Sequence, residues 1–440
     1  MADNSKDLLV GLDVGSSKVV CAVASSISPT SFRIEGLGEC QSHGIREGTV
    51  VDIQGAVESI RAAVDEASQT AQTNIRNVVA GISGIHIRTD NVTQQLIIKS
   101  NEIEQRDIDQ LIENSQEGPL APSMRYLDVI PLEYAVDFNW GIVSPLGMEG
   151  KKLEAKLHMI TAQSGPCVNL NKAIRRAGLE LIDSQLCFNP LAAASALLSP
   201  EEKNLGVALI DIGADLTDVA VFSNGVVQYT SVAPFGGQTI TDEVAIKTQL
   251  SNESAEELKH RLGQVKFDPT KDVDGSFVMP AYPGLGQGKG RVLTKQAFSD
   301  IINPRIQDMF ENIYYKIRDK GLHNQLSHGV VLTGGGACLP GIDRMAKEVF
   351  SMHLAGRDIN VRIGRPLISF ETGEFFAPED YSTAVLPSQL TGYSTPQHAA
   401  VMGYLYDLNR KVLTQGSRIR SKGKLKTAAE YLKTWFLGNF

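Results

Sequence analysis

Two stretches of the chain carry the same alternation of apolar and polar positions. Residues 8–24 read LLVGLDVGSSKVVCAVA, and residues 207–222 read VALIDIGADLTDVAVF. Each is an apolar run, then Asp-x-Gly, then a polar tight turn, then a second β-branched run, which predicts a buried β-hairpin. Asp13 and Gly15 of the first copy correspond to Asp211 and Gly213 of the second. Elsewhere the period is helical: Ile53, Val57, Ile60, Val64, Ala67 and Ala71 share one face of a helix predicted over 53–71. Residues 78–82 read as a short buried strand.

The section at about 85–163 has its own character and predicts a small α+β insertion. It holds a short helix near 103–116, a strand near 126–136 (YLDVIPLEYAV), and a half-buried strand in LEAKLHMITA, where Leu153, Ala155, Leu157 and Met159 alternate with polar residues. The chain then returns to α/β order, with a helix over 166–178, a strand over 179–186 and an Ala-rich helix in NPLAAASALL. After the second hairpin, a helix over 254–262 starts at a capping box of Ser254 and Glu257. Residues 264–294 are Gly/Pro-rich and read as irregular. A helix over 304–320 aligns Ile306, Phe310, Ile313 and Ile317. VVLTGG predicts a strand running into Gly334, Gly335 and Gly336, ahead of another helix. Residues 409–424 read as a basic flexible linker, and 425–440 as a final short helix.

Composition fits a multidomain globular chain: 440 residues, 42% hydrophobic and 21% charged. No stretch approaches the roughly 18 apolar residues of a spanning helix, and the opening MADNSKD lacks the pattern of a secretory signal. The cysteines are scattered and form no CxxC, which argues for a reducing cytoplasm and against a zinc site. Net charge is −8 but uneven: residues 410–440 carry +7 and residues 1–409 carry −15. An acidic body does not suit nucleic acid, and a basic tail suits an anionic surface.

Two Asp-x-Gly hairpins facing each other make a clamp for a nucleoside triphosphate and its metal. Asp13 and Asp211 would supply oxygen to Mg²⁺ or position its water shell. Gly15 and Gly213 let backbone N–H groups approach phosphate oxygens, and Ser16, Ser17 and Lys18 add hydroxyls and an ammonium. Asp215 and Thr217 occupy the second loop. Gly334, Gly335 and Gly336 would let backbone approach adenine and ribose, and Gly236 and Gly237 precede a helix whose N-terminus favours phosphate. Each has a plainer reading, as an ordinary polar turn or a tight strand–helix connection; the recurrence of the hairpin weights the first pair toward phosphate. GLGQGKG at 284–290 lacks the P-loop spacing and reads as a surface loop. In the last helix Leu425, Ala429, Leu432 and Phe436 share a face that Trp435 and Phe440 widen, with Lys426 and Lys433 beside it. Sixteen residues span about 24 Å, too short to cross a bilayer in the usual way but suited to lying in its interface. Docking of that helix on the protein's own core is the alternative.

The duplicated strand–DxG–strand unit marks the two-lobed actin/Hsp70/sugar-kinase architecture. GLDVGSSKV, the 85–163 insertion, VIPLEYAVDF, DIGADLTDVAVF, NPRIQDMF, VVLTGGGACLPG, PQHAAVMG and the tail ending TWFLGNF together resemble FtsA, the bacterial actin-like cell-division family. The resemblance implies an α/β, two-lobed actin-like (ribonuclease H-like, duplicated) ATPase fold. Its subdomains would be 1A (1–84, 164–204 and part of 388–408), the inserted 1C (85–163), 2A (205–242 and 325–387) and 2B (243–324). It implies ATP and Mg²⁺ as cofactors and self-assembly into filaments. It also implies attachment of the tail to anionic lipid on the cytoplasmic face of the cell membrane at the division site. The FtsZ C-terminal peptide would dock on 2B, with Lys295 and Arg305 as the matching basic positions, and later division proteins would be recruited through 1C. Two positions depart from the family pattern. The usual second loop is close to DIGGGTTD; here Ala214 and Asp215 replace glycines, and Asp215 brings negative charge near phosphate unless it faces away or meets Mg²⁺. Where strong ATPases carry Glu-Pro ahead of the Ala-rich helix, this chain has Asn189-Pro190, and Asn is no general base; weak hydrolysis is expected. A small-molecule kinase of the superfamily and a pilus-assembly relative are the competing readings. The amphipathic tail argues against both.

Overall fold

The computed structural model describes residues 8–414 except 118–119, 271, 274, 279–291, 355, 370 and 381–391. The chain opens with β1 (Leu8–Val14), β2 (Lys18–Ser28), β3 (Ser31–Gln41), the short hairpin β4 (Ile45–Arg46) and β5 (Thr49–Val50), helix α1 (Ile53–Ala71) and β6 (Asn77–Ile82). An insertion follows: β7 (Ile87–Ile97), α2 (Gln105–Gln116), β8 (Met124–Val136), β9 (Asn139–Ile142) and β10 (Lys152–Gln163). The chain returns through α3 (Ser164–Arg176), β11 (Glu180–Phe188), α4 (Asn189–Leu197) and α5 (Pro200–Leu205). A second lobe holds β12 (Val207–Ile212), β13 (Thr217–Ser223), β14 (Val226–Ala233), α6 (Gly237–Thr248), α7 (Asn252–Leu262), β15 (Ser276–Val278), β16 (Val292–Thr294), α8 (Lys295–Asp319), β17 (Gly329–Thr333), α9 (Ile342–His353) and β18 (Val361–Ile363). Strands β19 (Leu367–Ile368) and β20 (Glu374–Phe376) and helix α10 (Ala399–Thr414) close the described chain.

The two main sheets repeat one plan. The first runs β11-β6-β1-β2-β3-β20-β19 and the second β14-β13-β12-β17-β18. In each, three antiparallel strands (β1–β2–β3, β12–β13–β14) continue on the far side into a parallel strand, β6 or β17. Apolar side chains on both faces of these strands feed two cores: one fills the first lobe and takes in Val207, Leu209, Ala220, Phe222, Val227 and Val331 from one face of the second sheet, and the other packs under that sheet's opposite face. Helices α4 and α10 cross so closely in the first lobe that a Cβ on Gly403 would lie 1.9 Å from the Ala192 carbonyl oxygen. Only glycine allows that approach.

Several elements differ from the pattern-based expectation. Helix α8 begins at Lys295 rather than 304, because Thr294 caps it by accepting from the Ala297 N–H at 3.1 Å and Pro304 lies inside the helix. The cap of α7 is Ser251, which accepts from Ser254 N–H, and not Ser254. The irregular 264–294 stretch contains the β15–β16 pair. Residues 367–376, expected in the second lobe, extend the first lobe's sheet, where Phe375 stacks on Phe32 with ring centroids 4.6 Å apart. Residues 409–414, expected as linker, continue α10; Asn409 is fully buried and donates to the Ser28 carbonyl at 2.6 Å. The remaining linker, the tail helix with Leu432, Lys433, Trp435, Phe436 and Phe440, and the 284–290 loop lie outside the described residues.

The insertion has a four-stranded sheet, β7-β10-β8-β9, and its own core of Ile103, Leu111, Ile112, Val129, Leu153 and Leu157. It leans on the second lobe through β14. Thr89 donates to the Thr230 carbonyl at 2.7 Å, and Asn91 to the Gln228 carbonyl at 3.1 Å. His158, fully buried, sits between Asn91 Oδ1 (2.6 Å) and Thr230 Oγ1 (2.9 Å). Burial pushes its pKa down to about 4. The unfolded chain takes up this proton below about pH 6.5 and the folded chain does not, so His158 makes stability fall between pH 6.5 and 4. His158→Gln should flatten the pH dependence of stability by about 3 kcal/mol across that window. Urea melts of both proteins at pH 7 and pH 4.5 test this; parallel curves would refute it.

Candidate functional site

The hairpin turns β1–β2 and β12–β13 are built alike. Gly15 N–H donates to the Lys18 carbonyl at 3.0 Å, and Gly213 N–H donates to the Leu216 carbonyl at 2.9 Å. Asp13 and Asp211 are the last residues but one of the strands entering the turns; Asp211 pairs with Asp218 on β13. The turns come from opposite lobes, and the flanking segments meet: Ser83, just after β6, donates to Asp218 Oδ1 at 2.5 Å. Asp218 was not singled out from sequence. Its signal was the second Asp of DLTD, which ordinary strand alternation hides.

Asp218 is buried, and Asp13 and Asp211 are half-buried beside it at the paired turns. Desolvation raises Asp13 to about 6, although Lys18 and His398 pull it down. Desolvation also raises Asp218 to about 7, with Asp13 adding to the rise and the Ser83 hydrogen bond opposing it. Asp211 is pushed well above its usual range by desolvation and by the charges of Asp218 and Asp13. Carboxylates in this state favour a cation nearby. No cluster of three or more His, Cys, Asp or Glu side chains is arranged to grip a metal directly among the described residues. The oxygens of Asp13, Asp211 and Asp218 are the donor type that a hydrated Mg²⁺ would take.

Lys18 does not stand free in the first loop. Its ammonium bonds Glu39 at 3.1 Å and Gln397 at 2.7 Å. Glu39 also binds the buried His398 ring, and these partners, the His398 bond first, hold Glu39 at about 2. The Pro396–His398 turn reaches the second lobe as well: the Pro396 carbonyl accepts from Gly334 N–H at 3.1 Å and from the Thr333 hydroxyl at 3.0 Å. One turn, far along the chain, thus fastens the triple-glycine segment to the first loop. Glu39, Gln397 and His398 were missed as site residues because their partners are distant in sequence.

The three glycines are unequal. Gly334 has φ +82°, and a Cβ there would lie 2.2 Å from Asp211 Oδ1. Gly336 packs on Ile212, whereas Gly335 faces open space. The start of α6 is less open than its sequence suggested. Gly237 N–H donates to the Gly213 carbonyl at 2.9 Å and Gln238 N–H to the Ala214 carbonyl at 2.8 Å, so these donors brace the second loop instead of facing a ligand. Thr217 is fully buried and its hydroxyl donates to the Phe235 carbonyl at 2.7 Å. Lys259, from α7, brings a cation to this place: its ammonium bonds the Gly237 carbonyl at 3.0 Å and Glu256 at 2.6 Å. The i,i+3 Glu–Lys spacing of this pair was its only local signal. Asn189 opens α4 and accepts from the Tyr404 hydroxyl at 2.8 Å.

Ser16 and Ser17 sit at the tip of the first turn, Ser17 exposed. Lys295 and Arg305 both lie on α8, ten residues apart. That spacing separates them by about 15 Å along the axis and about 80° around it, so they do not form one pair. A cavity of about 70 Å³ lies away from the paired turns and is lined by Asp128, Leu191, Lys203, Phe222, Tyr406 and Lys411 among others.

Comparison with known proteins agrees with this architecture. The family model "Cell division protein FtsA" matches residues 208–403, and the model of the SHS2 domain inserted in FtsA matches residues 84–161. The cell division protein FtsA of Pseudomonas aeruginosa is 32% identical over 436 residues, covering 99% of both chains. The chain belongs to the FtsA family of cell division proteins. Family membership accounts for the insertion, since the SHS2 model covers nearly the whole 85–163 segment read as a separate unit. Among solved structures, the PilM–PilN type IV pilus biogenesis complex gives a TM-score of 0.62 at 18% identity, covering 91% of this chain and 98% of the other. MreB5 of Spiroplasma citri bound to ADP gives 0.53 at 11% identity, covering 93% and 99%. These likenesses establish the actin-like fold. No helix among the described residues is long and apolar enough to cross a membrane.

Proposed function

We propose that the two turns and the triple-glycine segment hold ATP with Mg²⁺, and that the nucleotide controls assembly of the chain into filaments. The observation that carries this reading is the repeated turn, with one internal hydrogen bond, presented from both lobes beside a cluster of destabilised carboxylates. Gly15, Ser16, Ser17 and Gly213 would meet phosphate, Gly335 would meet the nucleoside, and Asp13 and Asp211 would hold the metal's water shell. Bound Mg²⁺ would neutralise phosphate and carboxylate charge together. MreB5, of the same fold, was solved with ADP. Asn189 has an amide in place of a base, and its oxygen is taken by Tyr404; slow hydrolysis follows.

The tail at 425–440 would lie in the cytoplasmic leaflet at the division site, with Leu432, Trp435, Phe436 and Phe440 in the interface and Lys433 on anionic headgroups. The surface around Arg305 would take the FtsZ C-terminal peptide, with Lys295 a separate contact. The insertion would take later division proteins. Co-sedimentation with anionic liposomes tests the tether: the intact chain should pellet and Trp435→Glu should stay in solution, because the interface does not accept a charge at a buried aromatic. Equal pelleting would sink the tether. Arg305→Glu should weaken binding of the FtsZ peptide, and full retained affinity would reject that surface.

A further inference from the structure

The second turn carries an acidic side chain, Asp215, beside the proposed phosphate site. A carboxylate aimed into a phosphate loop would repel the ligand. Its side chain, however, leaves the turn and crosses to the other lobe, where Asp215 Oδ2 accepts the Glu47 N–H at 2.9 Å. Glu47 stands at the tip of the β4–β5 hairpin with φ +48°, and Gly48 follows with φ +70°. This left-handed pair points the Glu47 amide outward, toward the second lobe. The hairpin is itself pinned: a Cβ on Gly48 would lie 1.9 Å from the Ser83 carbonyl oxygen. Ser83 is the residue whose hydroxyl bonds Asp218. The two lobes therefore meet at two adjacent points, Glu47 with Asp215 and Ser83 with Asp218, one at each end of the DLTD turn.

We infer that Asp215 is a positioning residue that latches the cleft shut, holding the second turn against the Glu47–Gly48 hairpin and keeping its own charge off the phosphate. The contact is a charge-assisted hydrogen bond from a backbone amide, made at the solvent-exposed rim between the lobes. A glycine at 215 makes no such bond. In this chain the loop keeps its phosphate-facing backbone and adds a tie between lobes, so opening the cleft must break that tie. The consequence for the bound ligand rests on the nucleotide reading above: a nucleoside triphosphate should leave slowly, with release governed by the latch.

Two variants separate the latch from simple charge repulsion. Asp215→Gly removes both the acceptor and the charge. Asp215→Asn removes the charge and keeps an amide oxygen that accepts from Glu47. In the nucleotide-free protein, hydrogen exchange across residues 45–50 should speed up by about tenfold in Asp215→Gly, the size of one charge-assisted bond, and by much less in Asp215→Asn. Release of a fluorescent ATP analogue should follow the same order. Unchanged exchange in Asp215→Gly overturns the latch. So does tighter, slower-released nucleotide in both variants, which would mark Asp215 as a repelling charge. The exchange measurement needs no ligand, so failure of wild-type protein to bind the analogue would overturn the nucleotide reading while leaving the latch to be judged by exchange alone.

Discussion

Asp13→Asn should make the nucleotide-free protein more stable at neutral pH while sharply weakening nucleotide binding. Asp13 is held in a desolvated region and retains its proton up to about pH 6, against 3.8 for an ordinary aspartate. Above pH 6 the folded protein carries a carboxylate that would be more comfortable in the unfolded chain. The linked penalty is on the order of 3 kcal/mol at pH 7.5. As pH falls from 6 toward 3.8 the folded state takes up the proton first, and the penalty fades. Asparagine carries no charge, so its advantage should be full at pH 7.5 and fall to about 1 kcal/mol at pH 4.5. Denaturant melts at the two pH values give the number. The same substitution removes the charge proposed to hold the metal's water shell, so affinity for Mg²⁺–ATP should drop by about a hundredfold or more, in keeping with removal of a charged partner. An Asn variant that is less stable at pH 7.5, or that binds nucleotide as before, would contradict the assignment. Stability given up at a binding site for function is a common arrangement.

Gly334→Ala should be among the most damaging single methyls in the cleft. The position has φ +82°, and the new Cβ would lie 2.2 Å from Asp211 Oδ1 and 2.5 Å from the Ile212 carbonyl oxygen. The backbone would have to leave the left-handed region and break the bond from Gly334 N–H to Pro396 that ties this segment to the first lobe. Strain of this kind costs about 1–3 kcal/mol before the clash is counted, and nucleotide binding should be lost with the displaced carboxylate. Gly335→Ala is the matched control. No atom lies within 4 Å of the methyl it would add, so the melting temperature should stay within about 1 °C. Equal melting temperatures for Gly334→Ala and Gly335→Ala would remove the steric argument. Loss of nucleotide affinity in Gly335→Ala with unchanged stability would place the nucleoside against that residue.

Local chemistry made much of the fold legible. The 53–71 helix was readable residue for residue because its apolar face repeats and Asp52 caps it. The hairpins were readable because both strands are buried on both faces and the turn residues are polar. Helix α8 was cut short because Pro304 looks like a helix start; only the Thr294 cap and the packing of Phe298 and Ile302 in the second core extend it to Lys295. Strand β7 went unread since most of its residues are exposed and hold their place by pairing with β10.

The site divides along the same line. Asp13, Gly15, Asp211 and Gly213 announce themselves because a turn is built from neighbours, and the same neighbours recur in the second copy. Local pattern alone carries the two hairpins, the insertion, the charge asymmetry and the amphipathic pattern of the tail. What those turns face is set by folding. It assigned Lys18 to Glu39 and Gln397, braced the second loop with the first amides of α6, and brought Ser83 to Asp218 and Glu47 to Asp215. Local pattern records which groups a segment offers. Which of them remain unpaired depends on partners contributed by distant segments, and those meet only when both lobes are folded and closed.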